Sequence, residues 1–408
     1  LAKLKPLSKR KKLLDFKSSP VIIKAVEIAK KLDLKIFLVG GPLRDIFLGK
    51  RVLDFDLAIS SKVKEFGEEL AKELEGKFIY HSQFLTGKIL YDDQYIDIAQ
   101  LRDEIYERPG ALPKVKPIAD IETDLKRRDF TINAFAYDLL ADKIIDPFGG
   151  IKDLKEKKIR ILHEKSFFDD PTRIFRAIRF AERFRFQIEK QTLILLKRAI
   201  KRSCLKTVSY QRIFHELNLI LKEKNFKEML YQLSRLGVLK KIFNKSLSLK
   251  EISQLAKLKK VKLAEDLIFA YLLFLLSFEE KSFLKKEIIK IIEDLNAFKK
   301  IKRRLLKAKR PSKIYLLLSP FSLNSLKIIT ALEPSLKKKI KNYQKSKDKK
   351  PFINGNQLKE LIKKGTIKNL KEKDFSKILL YLKLKKIDGK LKNKEDELKA
   401  IKKWTQEH

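Results

Sequence analysis

The hydrophobic periodicity of this 408-residue chain changes once, near Lys165, and that change constrains the fold more than any other feature. Before it, short strand-like runs alternate with helical spacings. After it, apolar residues recur at helical spacing almost to the end, as in Ile174, Ile178 and Ala181, with Ala177 and Phe184 alongside. The expected class is therefore α+β: a small mixed-sheet head over residues 1–160, then an all-helical neck (161–222), body (223–340) and tail (341–408). No fixed-period repeat is present, which argues against a solenoid. Lys341 to Lys350 reads as a lysine-rich break before another helical unit.

Within the head, Lys35 to Val39 is a short apolar strand running into Gly40-Gly41. A helix follows, with Pro42 at an early position where its missing N–H does no harm. Val52 to Ser60 alternates as a strand does, with Leu53, Phe55 and Leu57 on one face and Asp54, Asp56 and Ala58 on the other. A helix is expected over Lys62 to Leu74, and strands over Gly87 to Tyr91 and Tyr95 to Gln100. Asp92 and Asp93 fall in the turn between those strands. Arg108 to Pro113 reads as a loop, and Gly149-Gly150 as a turn.

Charge narrows the function. There are 95 Lys and Arg residues against 52 Asp and Glu, a net charge of +43, which favours a polyanionic partner such as nucleic acid. Residues 251–408 carry 42 basic and 18 acidic residues, the densest part of the excess. Genome bias toward lysine and thermophilic composition are the bland alternatives. One cysteine, Cys204, excludes an internal disulfide and a cysteine zinc cluster and suits a reducing cytoplasm. The longest apolar run, Leu267 to Phe278, is too short to span a bilayer. No continuous apolar stretch follows the basic N-terminus, so no signal peptide is expected. The four histidines form no metal-spaced cluster, and none is followed by Asp. The Phe and Tyr residues interleaved with Lys in the helical half read as core rather than as a stacking surface.

The chemistry centres on Asp54 and Asp56. Two apart in a strand, they send both carboxylates to one face, where hard oxygen donors hold Mg²⁺ together with substrate phosphates. A lone pair of this kind is ordinarily a solvated strand face. Here it follows Gly40-Gly41 by a little over a dozen residues, and glycines at a strand-to-helix turn let backbone N–H groups approach a triphosphate. Asp97 is the candidate third carboxylate, suiting in-line phosphoryl transfer.

Phe37 to Ser60, FLVGGPLRDIFLGKRVLDFDLAIS, resembles the signature of class II tRNA nucleotidyltransferases and bacterial poly(A) polymerases, in the superfamily that includes DNA polymerase beta. Further blocks agree in order: RRDFTINA at Arg127 to Ala134, DPFGG at Asp146 to Gly150, and DDPTRIFRAIRF at Asp169 to Phe180. The last begins with Asp where the family more often has Glu. SYQRIFHEL at Ser209 to Leu217 carries Gln211 in place of the usual Glu. INGNQLKEL at Ile353 to Leu361 and IDGKLKNKEDEL at Ile387 to Leu398 resemble the tail helices of bacterial CCA-adding enzymes.

The resemblance implies roles. Asp54 and Asp56 would bind Mg²⁺, with Asp97 assisting the attacking RNA 3′-hydroxyl. Gly40, Gly41 and Arg44 would hold the triphosphate; Arg127, Arg128, Asp129 and Asn133 would meet ribose and phosphates. The bland reading of RRD is a charged helix start. Asp170 and Arg173, three apart and so on one face if helical, would choose C or A: a carboxylate accepts from an exocyclic amine while a guanidinium donates to the neighbouring ring acceptors. An intrahelical salt bridge between the two is the bland alternative. Arg176 and Arg212 would contact phosphate or buttress this reader. The implied partners are ATP, CTP and the acceptor and TΨC stem of tRNA, gripped by the helical body and tail; no membrane and no protein partner is implied. Residues 102–115, as a flexible loop, would help the switch from C to A. The motifs fit full CCA addition, A alone or CC alone. ERPGALPKV resembles deep-branching bacterial enzymes that divide the CC and A steps between proteins. A poly(A) polymerase and a non-catalytic RNA-binding scaffold are the remaining alternatives.

Overall fold

The computed structural model describes residues 16–407 except 51, 53, 93, 368 and 369. The N-terminal segment read for a signal peptide, and Leu53, Asp93 and His408, lie outside the described residues. The chain divides into two compact units, one ending at Ser246 and the other beginning at Leu247.

In the first unit, helix α1 (Pro20–Lys31) has its buried Val21, Ile22, Ala25, Ile28 and Ala29 in one apolar stripe. Strand β1 (Ile36–Val39) is buried along its whole length, the signature of a central strand. It turns through Gly40 into α2 (Gly40–Phe47) and returns as β2 (Phe55–Ile59). Helix α3 (Val63–Glu73) then leads to β3 (Lys77–His81), β4 (Thr86–Tyr91) and β5 (Gln94–Gln100). Strands β6 (Arg102–Ile105) and β7 (Lys114–Pro117) pair as a separate two-stranded ribbon. After α4 (Ile121–Lys126) come β8 (Ala136–Asp138) and β9 (Lys143–Ile145). The main sheet has seven strands in the order β3-β4-β5-β2-β1-β8-β9. It is mixed, because β2 and β5 run parallel while their other neighbours are antiparallel.

Helix α3 packs on one face of β3–β5. On the other face, Phe37, Val39 and Ala58 join Leu101, Ile121, Leu125, Ala134 and Ala136 in a core that covers the β1–β2–β8 half. The same face of β3–β5 keeps Ile79, Leu90 and Tyr95 exposed.

Beyond the sheet the unit is helical: α5 (Gly150–Glu156), α6 (Ser166–Asp169), α7 (Arg173–Phe184), α8 (Lys190–Lys201), α9 (Tyr210–Lys222), α10 (Phe226–Arg235) and α11 (Val238–Phe243). A short parallel pair, β10 (Lys158–Ile159) with β11 (Gln187–Ile188), interrupts it. The second unit is helical throughout the described residues. Helix Glu265–Leu275 within it is buried on every side from Leu267 to Leu275. No single helix among the described residues is long and apolar enough to cross a membrane.

Two expectations change. Residues 337–347 form a helix where a break from Lys341 was read. Lysine is a good helix former, and Ile340 and Tyr343 are buried three apart, anchoring one face. The interruption shrinks to the residues just after Asp348. Residues 102–115 are not one loop: Arg102–Ile105 and Lys114–Pro117 pair as the ribbon, leaving only its tip irregular.

Candidate active site

Strand β2 begins at Phe55, so Asp56 lies within the sheet and Asp54 one residue ahead of it, exposed to solvent. Parallel pairing sets Asp56 directly beside Asp97 of β5. The Asp54 carboxylate accepts the Tyr95 N–H at 3.4 Å, and the Asp97 carboxylate lies 3.1 Å from Lys88 Nζ. The three acids singled out from sequence thus lie together where β2 meets β5, inside the sheet order.

Burial pushes the Asp56 carboxyl up to about 6, and the neighbouring Asp97 and Asp54 charges push the same way; Arg128 and a hydrogen bond from the Gly41 N–H only partly offset this. A carboxylate in such a position favours either a proton or a cation. Gly40 makes that hydrogen bond possible. Its φ of 71° is open to glycine, and a Cβ there would sit 2.8 Å from Asp56 Oδ2. Among the described residues, no three Asp, Glu, His or Cys side chains enclose an ion. An open set of one or two carboxylates fits Mg²⁺, which keeps waters and substrate phosphates among its ligands. Asp54 and Asp56 are the groups that would hold it.

Next to Asp56 opens a cavity of about 470 Å³, lined by Gly40, Gly41, Arg44, Arg127, Arg128, Asp129, Asn133, Asp170, Arg173 and Arg176. Every sequence-predicted nucleotide-binding residue except Arg212 therefore meets there. Arg179, Phe180 and Arg183 of α7 and Glu104 and Tyr106 complete the wall. So many guanidiniums around one small space suit a polyanion such as a triphosphate.

Much of this wall is prearranged. Arg44 Nη1 donates to Asn133 Oδ1 at 2.7 Å, Asn133 Nδ2 to Asp129 Oδ1 at 2.9 Å, and Arg176 Nε to Asp129 Oδ2 at 2.8 Å. Burial alone would raise the Asp129 carboxyl, but Arg176, Asn133 and Arg173 outweigh it and hold it below the ordinary value. A second node is Asp124, 1% exposed. It accepts from Arg127 Nη2 at 2.7 Å, Arg128 Nη2 at 2.9 Å and the Arg102 N–H at 3.2 Å. Arg127 Nη1 also reaches Glu104 Oε1 at 2.6 Å, so its guanidinium is largely committed to protein partners. The RRD segment follows the end of α4 rather than starting a helix.

Asp170 and Arg173 both face the cavity, yet not from one helix. Helix α7 begins at Arg173, and Asp170 precedes Pro171 in extended backbone. Proline disfavours helical backbone in the residue before it, which explains the departure. Nor do the two pair with each other. Asp170 Oδ1 accepts from the Thr172 N–H at 3.0 Å, the Thr172 hydroxyl at 2.7 Å and Arg212 Nη2 at 2.8 Å. Its Oδ2 accepts nothing among the described residues. Arg173 donates from Nη1 to Ser166 Oγ at 2.6 Å and from Nη2 to the Arg127 carbonyl at 2.8 Å.

Asp124, Glu104, Tyr106, Arg179 and Arg183 were not singled out from sequence. For Asp124 a signal existed: it stands three and four residues before Arg127 and Arg128, the spacing of helical ion pairs.

Comparison with known proteins places the whole chain among relatives of similar fold. Residues 36–160 match the model of the poly A polymerase head domain, and residues 185–250 match that of the probable RNA and SrmB-binding site of polymerase A. The A-adding tRNA nucleotidyltransferase of Aquifex aeolicus is 36% identical over 81% of this chain and 43% of its own length. That of Halalkalibacterium halodurans is 37% identical over 59% of this chain and 58% of its own. The chain thus spans less than two thirds of the length of these curated relatives. Among solved structures, an apo form of a CCA-adding enzyme superposes with a TM-score of 0.76 at 30% identity, covering 96% of this chain and 97% of that one. The Thermotoga maritima CCA-adding enzyme complexed with tRNA-CCA superposes with a TM-score of 0.68 at 29% identity, with coverages of 96% and 97%.

Proposed function

Because the chain belongs to the family of tRNA nucleotidyltransferases and poly(A) polymerases, we propose that it adds C, A or both to the 3′ end of tRNA, using CTP and ATP with Mg²⁺ and releasing pyrophosphate. The observation that carries this reading is Asp170. Three donors hold its Oδ1, while Oδ2 is left as an acceptor in the cavity beside the fixed guanidinium of Arg173. An exocyclic amine next to a ring acceptor, as in cytosine and adenine, complements that pair; uracil and guanine present the opposite polarity. The protein edge replaces a template.

The triphosphate would lie against Gly40, Gly41, Arg44 and the arginines of α7, its α-phosphorus near Asp54 and Asp56. The RNA 3′-hydroxyl attacks that phosphorus, its proton passes toward Asp97, and the bond to the pyrophosphate oxygen breaks. Bound at Asp54 and Asp56, Mg²⁺ would supply charge neutralisation and Lewis-acid polarisation at the phosphates. The protein's own contribution is positioning and fixed positive charge. The basic helices of the second unit would hold the acceptor and TΨC stem through phosphate and shape, so affinity should fall steeply with salt. A reducing, cytoplasmic setting belongs to the same proposal, supported by Cys204 as a buried free thiol.

A second reading is addition of A alone. Two relatives reported above, both with substantial identity, are named A-adding enzymes. One assay separates the readings: tRNAs ending at the discriminator base, at C or at CC are incubated with magnesium and labelled CTP or ATP. Extension of the CC-ended tRNA by ATP alone supports A addition, and extension of all three supports CCA synthesis. Binding without any extension overturns the catalytic reading.

A further inference from the structure

Strand register runs a row of side chains outward from the catalytic acids across one sheet face. Asp56 is paired with Asp97, Asp97 with Lys88, and Lys88 with Ile79. The neighbouring row pairs Tyr95 with Leu90, and Leu90 with Lys77. This face is open: Tyr95 is 47% exposed, Leu90 44% and Ile79 50%. An aromatic, two aliphatics and two lysines side by side next to an active site are not a solvated sheet face, which would alternate toward charged and polar residues. Lys88 lies between Asp97 and the Tyr95 ring, 3.1 Å from the carboxylate and 4.7 Å from the ring centroid.

We propose that this face, Tyr95 with Leu90, Lys88, Ile79 and Lys77, receives the single-stranded 3′ end of the acceptor RNA and stacks its terminal base on Tyr95. The inference rests on the reaction proposed above. In-line displacement needs the attacking hydroxyl on the side of the phosphorus opposite the leaving pyrophosphate. The arginine-lined cavity occupies the side of Asp56 toward Gly40 and Arg44. Asp97 and the open rows lie on the side toward β5 and β4. Single strands bind where positive charge tracks the backbone and an aromatic ring meets a base. Lys88 neutralises Asp97, so a backbone phosphate approaching that acid is not repelled, and Tyr95, through its own N–H, is tied to Asp54. The landing surface is thereby joined to Asp56 by strand pairing and to Asp54 by that hydrogen bond.

The test uses the full chain and a tRNA carrying 4-thiouridine as its last nucleotide, which cross-links to whatever its base touches. The wild type must first extend the unmodified tRNA; failure there removes the functional reading and this surface with it. If it extends, the cross-linked peptide should span β4 and β5, and a cross-link confined to another peptide overturns the surface. In parallel, Tyr95→Ala should raise KM for tRNA about tenfold with KM for the nucleotide unchanged, and Tyr95→Phe should restore it. Equal KM for tRNA in all three proteins would equally overturn the proposal.

Discussion

Arg212 and Asp170 form an ion pair 42 residues apart in sequence, Nη2 to Oδ1 at 2.8 Å, and Arg212 Nη1 donates to the Gly110 carbonyl at 3.0 Å. One guanidinium therefore joins the Asp170 carboxylate to the tip of the β6–β7 ribbon. Lysine has one nitrogen where these contacts use two held in a plane, so it does not reproduce the pair.

The first prediction follows from that pair. Arg212→Lys should leave the fold intact and let the Asp170 carboxylate turn. Loss of one charged hydrogen bond corresponds to about 1.5–3 kcal/mol, so selectivity for the correct base over UTP or GTP should fall about tenfold or more. Single-turnover incorporation with each nucleotide measures it. Unchanged selectivity would mean that Thr172 alone orients the acid.

The second concerns Asp124. Its loss strands the buried guanidiniums of Arg127 and Arg128 against each other, and breaking a buried ion pair by removing one partner costs about 3–5 kcal/mol. Asp124→Ala should lower the midpoint of urea unfolding accordingly and reduce catalysis with it. Asp170→Ala, beside the same cavity, should relax base choice with little change in the midpoint. If both variants lose the same stability, Asp124 is no more than an ordinary wall residue.

A third compares two glycines. Gly40 and Gly149 have nearly the same backbone, φ of 71° and 70°, so alanine at either carries a left-handed penalty of about 1–2 kcal/mol. Beyond that they differ: nothing lies within 4 Å of a Cβ at Gly149, whereas at Gly40 it meets Asp56 Oδ2. Gly149→Ala should keep turnover near that of the wild type, and Gly40→Ala should lose it by displacing Asp56. Thermal melts and turnover on the same samples decide the matter; equal turnover would place the Gly40–Asp56 approach outside catalysis.

These cases show which parts of the site could be read from the chain. Gly40-Gly41 and Asp54-Asp56 were legible because a strand, a tight turn and a second strand are local objects whose periods name the face of each residue. The neighbours of Asp56 were legible only as candidates, since the parallel register that sets Asp97 beside it is a pairing between distant segments. The Asp170–Arg173 spacing misled because Pro171, present in the sequence, outweighs a three-residue spacing. Partners such as Arg212 for Asp170, or Glu104 for Arg127, come from packing across dozens of residues, and no period encodes them. Lys341 to Lys350 shows the opposite case: charge density suggests a break, whereas lysine favours helix and the buried Ile340 and Tyr343 hold it.

The last prediction uses Asp56, whose folded value of about 6 stands above its ordinary 3.8. A raised carboxyl binds its proton more tightly in the folded protein than in the unfolded chain. Its contribution to stability is therefore fully present below the ordinary value and is lost as pH rises through about 6. A gap of about two units sets an upper bound near 3 kcal/mol. Asn has no such charge, so without divalent ions Asp56→Asn should match the wild type below the ordinary carboxyl value of 3.8 and be the more stable protein at pH 8. Because both proteins keep every other titrating group, their difference isolates this one. Adding magnesium should then close the gap at pH 8, by stabilising the wild type and leaving Asp56→Asn unmoved. The variant should also fail to incorporate nucleotide. Urea unfolding of both proteins at a series of pH values, with and without magnesium, reads all of this. A stability difference that is flat with pH would show that Asp56 is not charge-frustrated, and a magnesium effect of equal size in both proteins would place the ion elsewhere.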